Sequence, residues 1–314
     1  MHILHSRRFP ALITAALATL AAGCSTASSG GLPGAQPGGS GHPVIRVVAA
    51  ENFWGSLAAQ LGGDRASVRS IIDNPDADPH DYEPTAADGR AMASAQFVIV
   101  NGVGYDGWAG KLVDANPESG RAVLTVGNLV GVKEGGNPHR WYSPADVRRV
   151  IDEITADYAR LDPADAPFFA AQHATVLGTN LKEYFGLVGD IKDRYAGTPV
   201  GASESIFSPL AQATGLDLLT PATFLSAISE GSDPTPQDKA TIDAQIQNHQ
   251  IKVYVYNSQN ATPDVQRQVA AARAAGIPIT TVTETLTPAG ASFQDWQVRQ
   301  LRELSQALAT ATGR

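Results

Sequence analysis

From residue 44 onward the chain alternates short apolar strands with amphipathic helices, and one long stretch without a strand signal breaks that rhythm. Strands are expected at 44–50, 66–72, 97–101 and 123–126, then again at 199–203, 216–219, 251–257 and 278–283, with helices between them. Such repetition implies mostly parallel sheets covered by helices on both faces. In the break, Leu177, Leu181, Tyr184, Val188, Ile191 and Tyr195 recur at alternating intervals of four and three residues, one face of a helix. Gly197 and Pro199 stop it, while Gly178 and Gly186 weaken it. A single helix of this extent would be about 47 Å long, enough to cross a domain. The expected architecture is α/β: two similar lobes, 44–162 and 196–314, joined by a rigid linker helix over 163–195.

The first 43 residues have a different character. Arg7 and Arg8 precede an apolar run over 11–22 that is too short to cross a bilayer as a helix, the pattern of an export signal over 1–23. It closes on Leu20-Ala21-Ala22-Gly23-Cys24, which resembles a bacterial lipobox with leucine one position early. Cys24 is the only cysteine, so no internal disulfide is available, and the resemblance makes it the lipid-attachment residue. Residues 24–43 then read as a solvated tether: of the 19 residues after Cys24, 13 are Gly, Ser or Pro, giving a reach of about 24 Å. The expected location is the outer face of the cell membrane, held by lipid. A formal charge of −8 argues against a nucleic-acid partner, whose phosphates need a basic surface.

Two loops share a local frame. Asp78-Pro79-His80-Asp81-Tyr82-Glu83-Pro84 is echoed by Asn137-Pro138-His139-Arg140-Trp141-Tyr142-Ser143-Pro144. Proline fixes its own φ and pushes its predecessor into extended conformations, so each histidine sits on a stiff loop. Ligands in open α/β sheets bind at the carboxyl ends of strands. Polar residues read off those ends are His80, His139, Glu204 in Ser203-Glu204-Ser205 and Glu284 in Thr283-Glu284-Thr285. Two imidazoles from one lobe and two carboxylates from the other form a donor set suited to zinc or manganese, with iron also accommodated. His173 and His249 read as structural, Asp76 and Asp78 as shaping the turn before His80, and Tyr82 and Trp141 as loop packing.

The segments Pro-His-Asp-Tyr-Glu-Pro-Thr-Ala-Ala-Asp (79–88), Asn-Gly-Val-Gly-Tyr-Asp-Gly-Trp (101–108), Asn-Pro-His-Arg-Trp-Tyr-Ser-Pro (137–144) and Ala-Ser-Glu-Ser-Ile-Phe (202–207) occur in that order. Together with the long helix they resemble the manganese/zinc solute-binding proteins of bacterial ABC transporters, over nearly the whole mature chain. The resemblance implies two α/β lobes with a rigid linking helix and a metal held in the cleft by four side chains. It places His80 and His139 as the first two ligands and Glu204 as the third. The fourth is usually aspartate, and the matching position here is Glu284, whose longer side chain keeps the charge but moves the oxygens. Zinc-importing members often carry a histidine-rich loop between the first two ligands, and residues 81–138 contain no histidine.

The function implied is a monomeric extracytoplasmic receptor that captures the ion and delivers it to an ABC permease. Two alternatives use the same architecture: a zinc hydrolase and a receptor for an organic solute. Catalytic zinc usually keeps three protein ligands and an open position, so four ligands favour carriage over catalysis. Neither H-E-x-x-H nor G-x-S-x-G is present. An organic solute would call for an aromatic-lined pocket instead of convergent donors. Acid release is expected to follow histidine protonation near pH 6.5, the glutamates contributing only at lower pH.

Overall fold

The computed structural model describes residues 44–75 and 82–314, all within one compact unit. The expected signal, tether and Cys24 lie outside the described residues, as do Asp76, Asp78 and His80.

The first half opens with β1 (Ile45–Glu51), α1 (Asn52–Gly62), β2 (Ala66–Ile72), α2 (Ala86–Ser94) and β3 (Phe97–Val100). It continues through α3 (Gly107–Ala115), β4 (Ala122–Thr125), the short α4 (Val126–Val130) and α5 (Pro144–Leu161). The strands are parallel in the order β2-β1-β3-β4. Phe97-Val98-Ile99-Val100 is buried throughout, as a strand covered on both faces must be. Thr85 and Asp88 close a reciprocal capping box at the start of α2, and Ser143 caps α5 with Pro144 just inside it.

The expected single linker helix is interrupted. After α6 (Ala166–Thr175), residues Val176–Asn180 form one π turn, with Leu181 N donating to Val176 O at 2.9 Å, before α7 (Lys182–Tyr195) resumes. The turn sequence Val-Leu-Gly-Thr-Asn contains poor helix formers. Leu181, Tyr184, Val188, Ile191 and Tyr195 are buried as expected, while Val176 is buried in place of the half-buried Leu177.

The second half runs through β5 (Pro199–Ala202), α8 (Ser208–Thr214), β6 (Asp217–Leu218) and α9 (Ala222–Ser229). It then forms α10 (Pro236–Gln247), β7 (Val253–Asn257), α11 (Pro263–Ala274), β8 (Ile279–Val282) and α12 (Phe293–Thr312). Its parallel sheet, ordered β6-β5-β7-β8, repeats the second-first-third-fourth arrangement of the first. The sequence reading missed α9, whose Ala-Thr-Phe-Leu-Ser-Ala-Ile-Ser lacks a polar cap and a polar face to mark it as a helix.

One apolar core runs through both halves. It joins Phe97, Trp141 and Tyr158 of the first to Val200, Phe207 and Val255 of the second through Tyr184, Ile191, Phe293, Trp296 and Leu304. The C-terminal α12 packs against α7 and β8 and also reaches α1.

Candidate metal centre

Strand order determines which residues meet. In each sheet the chain direction of winding reverses between its first and third strands, where ligands bind in open α/β folds. In the second sheet that point carries Glu204, two residues after β5, and Asn257, the last residue of β7. Glu284 follows β8 by two residues, so Asn257 at the end of the central strand lies between the two glutamates. Its Nδ2 donates to Oε1 of Glu204 and, at 2.9 Å, to Oε1 of Glu284. Asn260 Nδ2 donates to Glu204 Oε2 at 2.9 Å.

From the first half come His139 and Tyr105. The Tyr105 hydroxyl donates to Glu284 Oε2 at 2.9 Å, and His139 Nε2 lies 3.6 Å from the same oxygen. The loop that delivers Tyr105 is tightly wound, with Gly102, Val103 and Gly104 all at positive φ of 74°, 58° and 79°. This is an unfavourable conformation for a β-branched residue. Asp106 holds the loop by accepting from Asn101 N at 2.6 Å and Gly102 N at 2.7 Å. Asn101 then donates from Nδ2 to Pro138 O at 2.9 Å and accepts from Trp54 Nε1 at 3.1 Å, which fixes the start of the His139 loop.

His139 is oriented by its own loop. Asn137 Oδ1 lies 2.9 Å from His139 Nδ1 and 2.9 Å from its backbone nitrogen. A carbonyl oxygen can only accept, so Nδ1 of the neutral ring carries the proton, and Nε2 lies on the side of Glu284. Asn137 Nδ2 donates across to Ser205 O at 2.7 Å, tying the histidine loop to the turn that bears Glu204.

His139, Glu204, Glu284 and Asn257 are all buried. Trp141, packed edge-on to the imidazole at 5.2 Å and stacked on Phe53 at 4.0 Å, supplies the dry wall. Burial is the main cause that lowers the His139 pKa to about 4, Arg140 adding to it and Glu204 opposing it. Burial, then repulsion from Glu284, pushes Glu204 up to about 8 against the contributions of His139, Asn257 and Asn260. Burial thus acts on both groups against their charged forms, raising the glutamate and lowering the histidine, which runs counter to the expected order. Desolvation, which sequence cannot report, is the reason.

Of the four expected site residues, the structure brings His139, Glu204 and Glu284 together, while His80 lies outside the described residues. Among the described residues no three His, Cys, Asp or Glu side chains form a ready-made metal cage. Here the carboxylates are spaced by the Asn257 amide. Asn257 was not among the expected ligands. Asn137, Asn101, Tyr105 and Asn260 were missed as site residues, although the first three lie inside the quoted motifs. The other assignments are structural: His173 pairs with Asp152 at 2.7 Å, and His249 sits in a turn with φ of 50°. Tyr82 packs on Trp108 at 4.9 Å.

Beside the site a cavity of about 410 Å³ opens between the halves, reaching Tyr105, Asn137, Pro138 and Ser205. Among the described residues lining it, Glu134 and Glu230 are charged, and there is no lysine or arginine. The first-sheet counterpart of the site is also acidic. Glu51 ends β1, fully buried against Asp106, and burial followed by the charge of Asp106 raises its pKa well above the carboxylate range.

Comparison with known proteins gives a consistent result. Residues 47–307 match the family described as "ZnuA: Zinc-uptake complex component A periplasmic". The chain is 27% identical over 271 residues to an iron-binding protein, YfeA, of Yersinia pestis, covering 83% of this chain and 84% of that one. It is 24% identical over 242 residues to the manganese ABC transporter substrate-binding lipoprotein PsaA of Streptococcus mitis, covering 70% and 74% respectively. The fold superposes with a TM-score of 0.71 on the Cd-bound periplasmic metal binding protein of Candidatus Liberibacter asiaticus, at 18% identity over 84% of this chain and 99% of that chain.

Proposed function

Since the chain belongs to the family of periplasmic zinc-uptake components, we propose that it is the extracytoplasmic receptor of an ABC importer for a divalent transition metal. The ion is its cargo, and His139, Glu204 and Glu284 hold it together with His80. The supporting observation is the meeting of His139 Nε2 and Glu284 Oε2 at 3.6 Å, beside Glu204 and inside this family's fold. The relatives named for manganese and iron are consistent with zinc, manganese or iron as cargo.

On this reading 44–162 and 196–314 act as lobes, with 163–195 as the linker. Glu134 and Glu230 favour cation approach through the cavity beside the site. The protein works as a monomer that hands its ion to a permease, and it is a carrier, not an enzyme, because four protein ligands leave no open position for water. Cys24 carries the lipid anchor, as in the relatives named lipoproteins. Among the described residues no helix is long and apolar enough to cross a membrane.

The test is metal uptake by cells lacking the chain. Uptake of radioactive zinc or manganese at low external concentration should fall, and recover with the wild-type chain but not with His139→Ala. Equal uptake with and without the chain would contradict the proposal.

A further inference from the structure

Val103 is a positioning residue for the metal centre: we propose that its side chain is a wedge that sets the Tyr105 loop against the loop bearing His139. This rests on the reading of His139 and its neighbours as a metal site.

The backbone here is unfavourable for the residue it carries. Tyr105 N donates to Gly102 O at 3.1 Å, closing a four-residue turn whose central residues, Val103 and Gly104, have φ of 58° and 79°. Turns with positive φ at both central positions are dominated by glycine, asparagine and aspartate. A β-branched residue there is an outlier. Among the described residues, His249 is the one other non-glycine at positive φ. Strain of this kind persists only where the surroundings over-determine it, and it clusters at functional sites.

The surroundings are the segment that leads into the histidine loop. A side chain at Gly127 would overlap Val103 Cγ2, and one at Gly136 would come within 3.9 Å of Val103 Cγ1, so two glycines leave the space that the valine fills. Gly127 is fixed in place, its nitrogen donating to Asn101 O at 2.8 Å and its oxygen accepting from Val132 N at 2.9 Å. Val103 is buried in this cradle. Gly136 stands directly before Asn137, Pro138 and His139, and Tyr105 follows Val103 by two residues. Beyond the wedge the two loops converge. The Tyr105 and His139 rings meet edge to face at 5.9 Å, and both pack on Trp141. Glycine at 103 would relax the turn but leave the two loops without a spacer.

The experiment measures zinc affinity, and the rate of zinc release to a chelator, for wild type, Val103→Gly, Gly127→Ala and the double variant, each well below its melting temperature. Each single substitution should weaken binding by roughly tenfold or more, the effect of losing a group that holds a ligand in place. In the double variant the new methyl group takes the space of the lost Cγ2, and most of the affinity should return. A merely structural valine would lower the melting temperature of the metal-free protein and leave zinc affinity unchanged, which overturns the proposal. A double variant no better than its singles overturns it too. If Val103→Gly does not fold, Val103→Ala keeps Cβ and loses only the two methyl groups: weaker zinc binding supports the wedge, and unaltered binding overturns it. Wild type that binds no zinc would overturn the metal-site reading, and the wedge with it, whereas wild-type binding matched by the variants removes the wedge alone.

Discussion

The side-chain oxygen of Asn137 lies 2.9 Å from Nδ1 of His139 and the same distance from its backbone nitrogen, so one residue sets both the tautomer and the position of the imidazole. Asn137→Ala removes that acceptor and also the 2.7 Å bond to Ser205 O. Zinc affinity should drop about 10–100-fold, the usual cost of losing a group that orients a ligating histidine. Calorimetric titration against wild type measures it. Equal affinities would show that Asn137 does not orient the ring.

Metal affinity should keep rising with pH beyond the histidine range. Glu204, raised to about 8 by burial and by Glu284, must lose its proton to bind an ion. His139, lowered to about 4, is already neutral. Between about pH 6 and 8 the apparent dissociation constant should therefore fall by about tenfold per pH unit from Glu204 alone. Buffer-corrected calorimetry should find proton release at pH 7 in wild type. Affinity that levels off by pH 7 would assign the dependence to histidine.

How far the sequence could be read depends on the kind of information each feature uses. Short apolar runs marked the strands and a 3.6-residue period most of the helices, because burial leaves those patterns along the chain. Interruption of the linker at Val176–Asn180 was not legible, since Gly178 and Asn180 lower helix propensity without specifying a π turn. His139, Glu204 and Glu284 stood out as donors at strand ends. Asn257 and Asn260 did not, because amides there are common and only the strand order puts them against two carboxylates. The opposite pKa shifts of Glu204 and His139 depend on desolvation, which no local motif encodes.

Glu51 offers a test of buried charge away from the ion. Its folded pKa lies well above the ordinary 4.5, so the folded chain holds a proton that the unfolded chain releases. Its contribution to stability is complete below about pH 4.5 and is lost as pH rises toward the folded pKa. Glu51→Gln keeps a hydrogen-bond donor for Asp106 without titrating. The variant's melting temperature should decline less than that of wild type between about pH 5 and 9. A steeper decline in the variant would contradict a protonated Glu51.

Loading should change the overall dimensions little. Both halves share one core, and Tyr142 OH lies 2.9 Å from Thr283 O, joining the histidine loop to the strand end before Glu284. Capture then proceeds by adjustment of loops, not by a wide hinge. Solution scattering of stripped and zinc-loaded protein should give indistinguishable radii of gyration. A clear contraction on loading would contradict this.

The central claim is that His139, Glu204 and Glu284 hold one transition-metal ion between the two sheets. Equilibrium dialysis of stripped protein against micromolar zinc, with His139→Ala alongside, tests it most directly. The account predicts about one ion per chain for wild type and a large loss of bound metal in the variant at the same free zinc. No bound ion in wild type, or equal binding by both proteins, would contradict it.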